Sequence, residues 1–291
     1  MEIEAPIVTP LNKYYPTALL DESGNVISLA KLIPNGEMLV DNERKLLMLR
    51  QAKITKDLPN CQDYGLMSAG ADGSRKVVIA DGVSNTIAGQ SVANLIAHKT
   101  MRELNEMDGR AIDTDAVIAI LEDSSVLVAC RFFGEKFMQE WGECVSRNLH
   151  KENVIKNAEN GSYGSSTLSF MRLQGDTLDI CQYGTGGYLV FRNNVIIASH
   201  GNKDKQPAQI AVNRELDFPE IHLKSMKVEK GDIAVSFTDG LFGRGISVIE
   251  EFTSRIKKYL ETGETIYVAV FKAFDEVIAY DDKTLSLFEV T

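Results

Sequence analysis

The hydrophobic pattern changes period several times along this chain, and the order of those changes limits the folds open to it. Val77-Val78-Ile79-Ala80 is a short, fully apolar, β-branched run, as a buried strand is. It stops at Asp81-Gly82. From Gly89 to Glu106 the period turns helical, with Val92, Leu95, Ile96 and Leu104 roughly on one face and Lys99, Arg102 and Glu103 off it. Asp113 to His150 is rich in helix formers and free of proline, which predicts one or two further helices. Their core candidates are Val117, Ile120, Leu121, Leu127, Phe132, Phe133, Phe137 and Trp141. After residue 160 the runs shorten to strands: Thr167 to Met171, Leu178 to Ile180, Tyr188 to Phe191 and Val195 to Ile197. Gly175-Asp176 and Asn193-Asn194 are the hairpin turns between them. Ile233 to Phe237 is a further strand, helical patterns follow near 246–261 and 264–279, and Thr284 to Val290 alternates as a last strand. Strands, helices, strands, helices in that order predict an α+β fold rather than repeated βαβ units.

Before residue 45 the chain carries Pro6, Pro10, Pro16 and Pro34, and a turn signal at Glu22-Ser23-Gly24-Asn25. This predicts an N-terminal arm or hairpin, residues 1–45, packed on a main domain of residues 46–291. With 31 basic and 41 acidic residues the net charge is −10, which counts against a nucleic-acid backbone as partner. No apolar run reaches the roughly 18 residues of a membrane span. Cys61, Cys130, Cys144 and Cys181 form no CxxC pair, so they read as free, mostly buried thiols in a reducing compartment. The acidic first residues lack a signal peptide's basic start, and the expectation is a cytoplasmic protein.

The chemistry of the chain lies in its aspartates. Asp81, Asp239 and Asp281 each stand at the end of an apolar run, and in the first two cases glycine follows at once. A rigid strand is a good mount for a ligating group. Carboxylates that converge in one cleft repel unless a cation separates them, and oxygen ligands without His or Cys suit Mg²⁺ or Mn²⁺. An Asp-Gly pair is also simply a good turn, and spacing alone does not show that the three converge.

In these blocks the chain resembles the metal-dependent, type 2C Ser/Thr protein phosphatases. The early acidic block is Asn60-Cys61-Gln62-Asp63, and the central one is Val78-Ile79-Ala80-Asp81-Gly82-Val83-Ser84. Tyr163-Gly164-Ser165-Ser166-Thr167 resembles the Gly-Ser-Thr strand, and Gly184-Thr185-Gly186-Gly187 the Gly-Asp-Ser block. Thr238-Asp239-Gly240-Leu241-Phe242 resembles the late Asp-Gly block, and Asp281-Asp282-Lys283-Thr284 the closing Asp-Asn-x-Ser/Thr block. The blocks follow the family's order from about residue 55 to the end, with wording closest to its small single-domain branch.

The resemblance implies a four-layer α-β-β-α sandwich of two antiparallel sheets with two Mn²⁺ or Mg²⁺ ions at one end. Asp81 would bridge both ions, Gly82 would offer its carbonyl, Asp239 and Asp281 would hold one ion, and Asp63 would act close by. Asp63, Asp81 and Asp239 are thereby the expected catalytic residues, and Asp63, Asp81, Gly82, Asp239 and Asp281 the expected metal site. Because neighbouring strand residues face opposite ways, only one of Asp281 and Asp282 should enter the site, and the resemblance selects Asp281. The implied reaction is hydrolysis of phosphoserine or phosphothreonine in a phosphoprotein substrate. A water shared by the two ions would attack in line, without a phospho-enzyme. The family default is a monomer.

The chain departs from the family in several places. Gln62 replaces a Glu, Val83 a His, and Thr185 the Asp of its block. No Asp precedes Gly164, which argues against a third ion. The family's phosphate-binding Arg is missing, leaving Lys53 or Lys56 as substitutes. His98, His150, His200 and His222 fall outside the blocks and read as structural or surface groups. These losses keep a second reading open, that of a pseudophosphatase: a binding module with the fold and little turnover.

Overall fold

The computed structural model describes residues 16–34, 36–52, 61–83, 89–107, 109–132, 164–202, 209–211, 216–242, 248–277 and 281–291. They form two seven-stranded sheets, packed face to face with helices on both outer sides.

The strands are β1 (Ala18–Leu20), β2 (Val26–Leu29), β3 (Lys31–Ile33), β4 (Gly36–Asp41), β5 (Leu46–Gln51), β6 (Tyr64–Ala69) and β7 (Arg75–Ala80). After helices α1 (Gly89–Glu106) and α2 (Thr114–Phe132) come β8 (Ser165–Ser166), β9 (Leu168–Gln174), β10 (Thr177–Tyr183), β11 (Gly186–Arg192) and β12 (Val195–Asn202). Then follow β13 (Ile210–Ala211), β14 (Ile221–Lys227), β15 (Ile233–Phe237), α3 (Val248–Glu261), α4 (Ile266–Glu276) and β16 (Lys283–Glu289). One sheet has the order β14-β10-β9-β7-β6-β1-β2, and the other β12-β11-β15-β16-β5-β4-β3. Pairing is antiparallel throughout these two sheets except between β1 and β6, which run parallel.

Three apolar layers hold the four-layer sandwich together. Between the sheets lie Met48, Met67, Val77, Ile79, Met171, Val190 and Phe288. On one outer face Leu66, Val78 and Phe170 meet Val92, Ile96, Leu104, Val117, Ile120 and Leu121 of α1 and α2. On the other, Leu49, Val235 and Leu285 meet Phe252, Ile256, Val270 and Phe274 of α3 and α4. Alternation does this: Val77 and Ile79 face the partner sheet while Val78 and Ala80 face α1.

The hairpins form where the turn residues predict. Gly175 has φ +57°, and Asn193 and Asn194 have φ +50° and +63°, the left-handed pair of a two-residue turn. Thr265 caps α4, its side chain accepting from the Val268 N–H. Residues 18–41, within the expected arm, supply outer strands to both sheets. Cys61 and Cys181 are buried free thiols. The side chains of Leu127, Cys130 and Phe132, and all of Phe133, Phe137, Trp141, Cys144 and His150, lie outside the described residues. Among the described residues no helix is long and apolar enough to cross a membrane.

Candidate metal centre

Strand pairing brings the four expected aspartates to one end of the sandwich. Asp81 follows the last residue of β7, and Asp63 precedes the first of β6; the two strands are antiparallel, with Tyr64 opposite Ala80. In the facing sheet, Asp239 follows the end of β15 and opens a short 3₁₀ turn, Asp239–Phe242. Asp281 precedes β16, which pairs with β15 through Phe237 and Leu285. An antiparallel pair places the end of one strand beside the start of the next, so each sheet contributes two aspartates. The sheets are joined here by the Thr238 hydroxyl, which donates to Asp63 Oδ2 at 2.8 Å, and deeper by the Ser169–Ser236 hydroxyl pair at 3.0 Å.

Asp63 is buried, with the other three aspartates partly accessible. Desolvation and the carboxylates of Asp63, Asp239 and Asp281 push Asp81 well above the usual carboxylate range. Burial and the neighbouring Asp282 push Asp63 up to about 7. Asp63 Oδ1 is buried with no donor in hydrogen-bonding geometry; its near neighbours are the Asp81 carboxylate and the Thr284 hydroxyl. An orphaned buried oxygen amid converging carboxylates is the pattern a cation relieves. Among the described residues no three His, Cys, Asp or Glu side chains are grouped tightly enough to hold an ion by themselves. The aspartates offer oxygen donors without His or Cys, the ligand chemistry that suits Mg²⁺ or Mn²⁺.

Asp281 and Asp282 face different tasks. The charge of Asp281 is among those that raise Asp81, and the charge of Asp282 acts on Asp63. Asp282 is buried, and its Oδ2 accepts the Gln62 N–H at 2.7 Å, tying the closing block to the early one. Lys283, buried beneath them, donates to the carbonyls of Phe274 and Val277 at 2.5 and 2.8 Å and so caps the end of α4. Burial pulls its ammonium down to about 8.

The two Asp-Gly glycines are there for close approach, not for an unusual backbone angle as their turn-like setting suggests. Neither Gly82 nor Gly240 has a positive φ. A Cβ on Gly82 would lie 2.4 Å from the Gly89 carbonyl oxygen and 2.6 Å from that of Gln62. A Cβ on Gly240 would lie 1.8 Å from the Asp282 carbonyl oxygen. Gly82 bridges to Ser166, but the bonds are made by its neighbours, Val83 N–H to Ser165 and Thr167 N–H to the Asp81 carbonyl, each at 2.9 Å. The Gly82 carbonyl therefore points away from that strand. Gly240→Ala is expected to cost about 1–3 kcal/mol, as overpacking does, read as a lower urea midpoint. An unchanged midpoint would mean that the Asp282 carbonyl yields freely.

Thr185 lies buried in the β10–β11 turn between Gly184 (φ +96°) and Gly186 (φ +123°) and brings no carboxylate. Lys53 and Lys56 lie outside the described residues. His98 meets the Tyr64 hydroxyl at 3.3 Å, and His200 stacks on His222 at 3.7 Å. None of the three belongs to the group of charges around Asp81. The sequence reading passed over Arg50, Glu37 and the hydroxyls of Thr238 and Thr284. Thr238 sits inside a recognisable block. Arg50 ends an apolar run like any solvated strand terminus, and nothing local marks it as buried.

No family profile matches the chain. The Oryza sativa protein named "Probable protein phosphatase 2C BIPP2C1", from both japonica and indica subspecies, is 31% identical over 124 residues. That stretch is 40% of this chain and 21% of the relative, so the chain matches about a fifth of the curated protein's length. The S. agalactiae serine/threonine phosphatase superposes with a TM-score of 0.59 at 14% identity, covering 85% of this chain and 99% of that one. The catalytic domain of the serine/threonine protein phosphatase PstP, solved with two manganese ions, gives 0.55 at 14% identity, covering 85% and 98%. RsbX, solved with magnesium, gives 0.53 at 13%, covering 88% and 100%. Over most of its length the chain is similar in fold to solved bacterial serine/threonine phosphatases, and over a shorter stretch it is similar in sequence to a protein named as a probable protein phosphatase 2C.

Proposed function

We propose that this chain is a Mn²⁺- or Mg²⁺-dependent phosphatase of phosphoserine and phosphothreonine in proteins. The observation that carries the reading is the convergence of Asp63, Asp81, Asp239 and Asp281 on one end of the sandwich, with Asp81 disfavoured as an anion by the other three. Asp81 holds the central position, raised by Asp63 of its own sheet and by Asp239 and Asp281 of the facing one. Asp239 and Asp281 hold the side of the facing sheet. Gly82 offers a carbonyl, and Asp63 presents its orphaned oxygen. Two divalent ions, when bound, supply a water acidic enough to be a nucleophile at neutral pH and neutralise phosphoryl oxygens. Thr238 holds one oxygen of Asp63 and leaves the other for the site. Asp282 keeps the early acidic segment in place without entering the ligand set. This division of labour needs no Ser or Cys nucleophile, and Cys61 is unsuited to be one, since burial and Asp282 hold its thiol far from ionisation.

The test is hydrolysis of p-nitrophenyl phosphate and of a phosphothreonine peptide with Mn²⁺, with EDTA, and in Asp239→Asn. Turnover lost in both EDTA and the variant supports the reading; full activity in Asp239→Asn would end it. The second reading, a binding module, draws on the lack of any tight three-residue acid group among the described residues and on Thr185 and Val83. It requires Mn²⁺ binding without turnover of either substrate.

A further inference from the structure

We propose that the buried Glu37–Arg50 ion pair is a positioning device for Asp63, through which the N-terminal strands set the geometry of the metal centre. The proposal rests on the metal-centre reading above.

Glu37 and Arg50 are both 0% exposed. They stand opposite each other on β4 and β5, with Arg50 Nε 2.9 Å from Glu37 Oε1. Arg50 is also opposite Thr284 on β16, so Glu37, Arg50 and Thr284 form one row across the sheet on one face. From that row Arg50 Nη1 donates to the Asp63 carbonyl at 2.9 Å. Glu37 is in turn held by Thr17, whose N–H donates to Oε1 at 2.9 Å and whose hydroxyl donates to the same oxygen. Strand β4 fits closely against β5, for a Cβ on Gly36 would lie 2.4 Å from the Arg50 carbonyl oxygen.

Asp63 lies one residue outside the β6 ladder, so its backbone needs another anchor. The planar guanidinium supplies one, with the Glu37 carboxylate 2.9 Å from its Nε as counter-charge. With the backbone held by Arg50 and one carboxylate oxygen held by Thr238, the Asp63 carboxylate is held beside Asp81 with Oδ1 buried and without a donor. Buried ion pairs add little stability over an apolar pair of equal volume. Their directional hold is what an apolar pair cannot reproduce. Thr17 and Glu37 precede every block that resembles the phosphatase family, so this chain's own N-terminal strands reach the site.

The experiment measures Mn²⁺ affinity by calorimetry and melting temperature for Arg50→Lys, for Glu37→Leu/Arg50→Met, and for each combined with Asp63→Asn. Lysine keeps the charge but cannot span both partners; the apolar pair keeps the volume. Folded variants should bind Mn²⁺ about tenfold or more weakly, as outer-shell changes do, and should add no further loss to Asp63→Asn. Wild-type affinity in the folded variants, or losses that add in full to Asp63→Asn, would overturn the proposal. Thr17→Val removes a single donor from Glu37 and decides the matter where the others do not fold. A drop of about two- to fivefold, less than the roughly 10–100-fold of losing an outer-shell partner outright, supports the proposal, and unchanged binding overturns it. A wild-type protein that binds no Mn²⁺ would overturn the metal-centre reading itself.

Discussion

Asp81→Asn should abolish Mn²⁺-dependent phosphate hydrolysis, by about a thousandfold or more, and at the same time raise the melting temperature of the metal-free protein. The loss follows from removing the charge at the centre of the acid group, where even one well-placed stabilising group is worth about 10²–10³. The gain follows from the same crowding. Asp81 is pushed well above its ordinary 3.8 by desolvation, then by Asp63, Asp239 and Asp281. A carboxyl raised in the folded state favours folding fully below its unfolded value, and that contribution is lost as pH rises through the folded one. Asp63 acts in the same sense between 3.8 and about 7. The metal-free wild type should therefore lose stability from acid toward neutral pH, and the Asn variant should lose less. Mn²⁺ replaces the protons, so its stabilising effect on the wild type should be larger at pH 7 than at pH 5. Calorimetric scans in EDTA at the two pH values check this. Equal melting temperatures for wild type and variant at pH 7 would mean that the carboxylates do not strain the fold.

The largest purely structural effect is expected at Arg172→Ala, with a loss of about 3–5 kcal/mol. Arg172 is buried on β9 and holds Asp179 of β10 through Nε at 3.3 Å and Nη2 at 2.8 Å. It also donates to the Met107 and Arg110 carbonyls at 3.0 and 2.6 Å, closing the end of α1 onto the sheet. Truncation leaves a carboxylate buried without a counter-charge and two carbonyls without this donor. In Arg172→Met/Asp179→Leu the uncompensated charge is gone, so much of the loss should return. Urea titrations of the three proteins test this; a single-variant loss under about 1 kcal/mol would show that water reaches Asp179.

Local pattern made much of the fold legible. Gly89 to Glu106 is a helix by its period, and Gly175 and Asn193-Asn194 turn where hairpin residues should. Strands β5, β6 and β14 were not foreseen. Leu46 to Gln51 is a short apolar run at the very start of the stretch expected as the main domain, and Tyr64 to Ala69 mixes Gly, Met and Ser with no clear alternation. Ile221 to Lys227 is an edge strand whose exposed positions weaken its pattern. The parallel pairing of β1 with β6 is a long-range choice that no local residue encodes.

The sequence by itself determined which residues could ligate: aspartates at strand ends, with glycines behind two of them, because strand termini and turn chemistry are local properties. Only the tertiary structure decided that these strand ends meet, since convergence depends on two sheets stacking in one register. It gave Asp282 the Gln62 N–H to accept and set the charge of Asp281 among those that raise Asp81. It turned Gly82 and Gly240 from turn formers into points of backbone contact, because packing distance is invisible along a chain. And it buried Arg50 between Glu37 and Asp63, where a charge at the end of an apolar run is held by partners far from it in sequence.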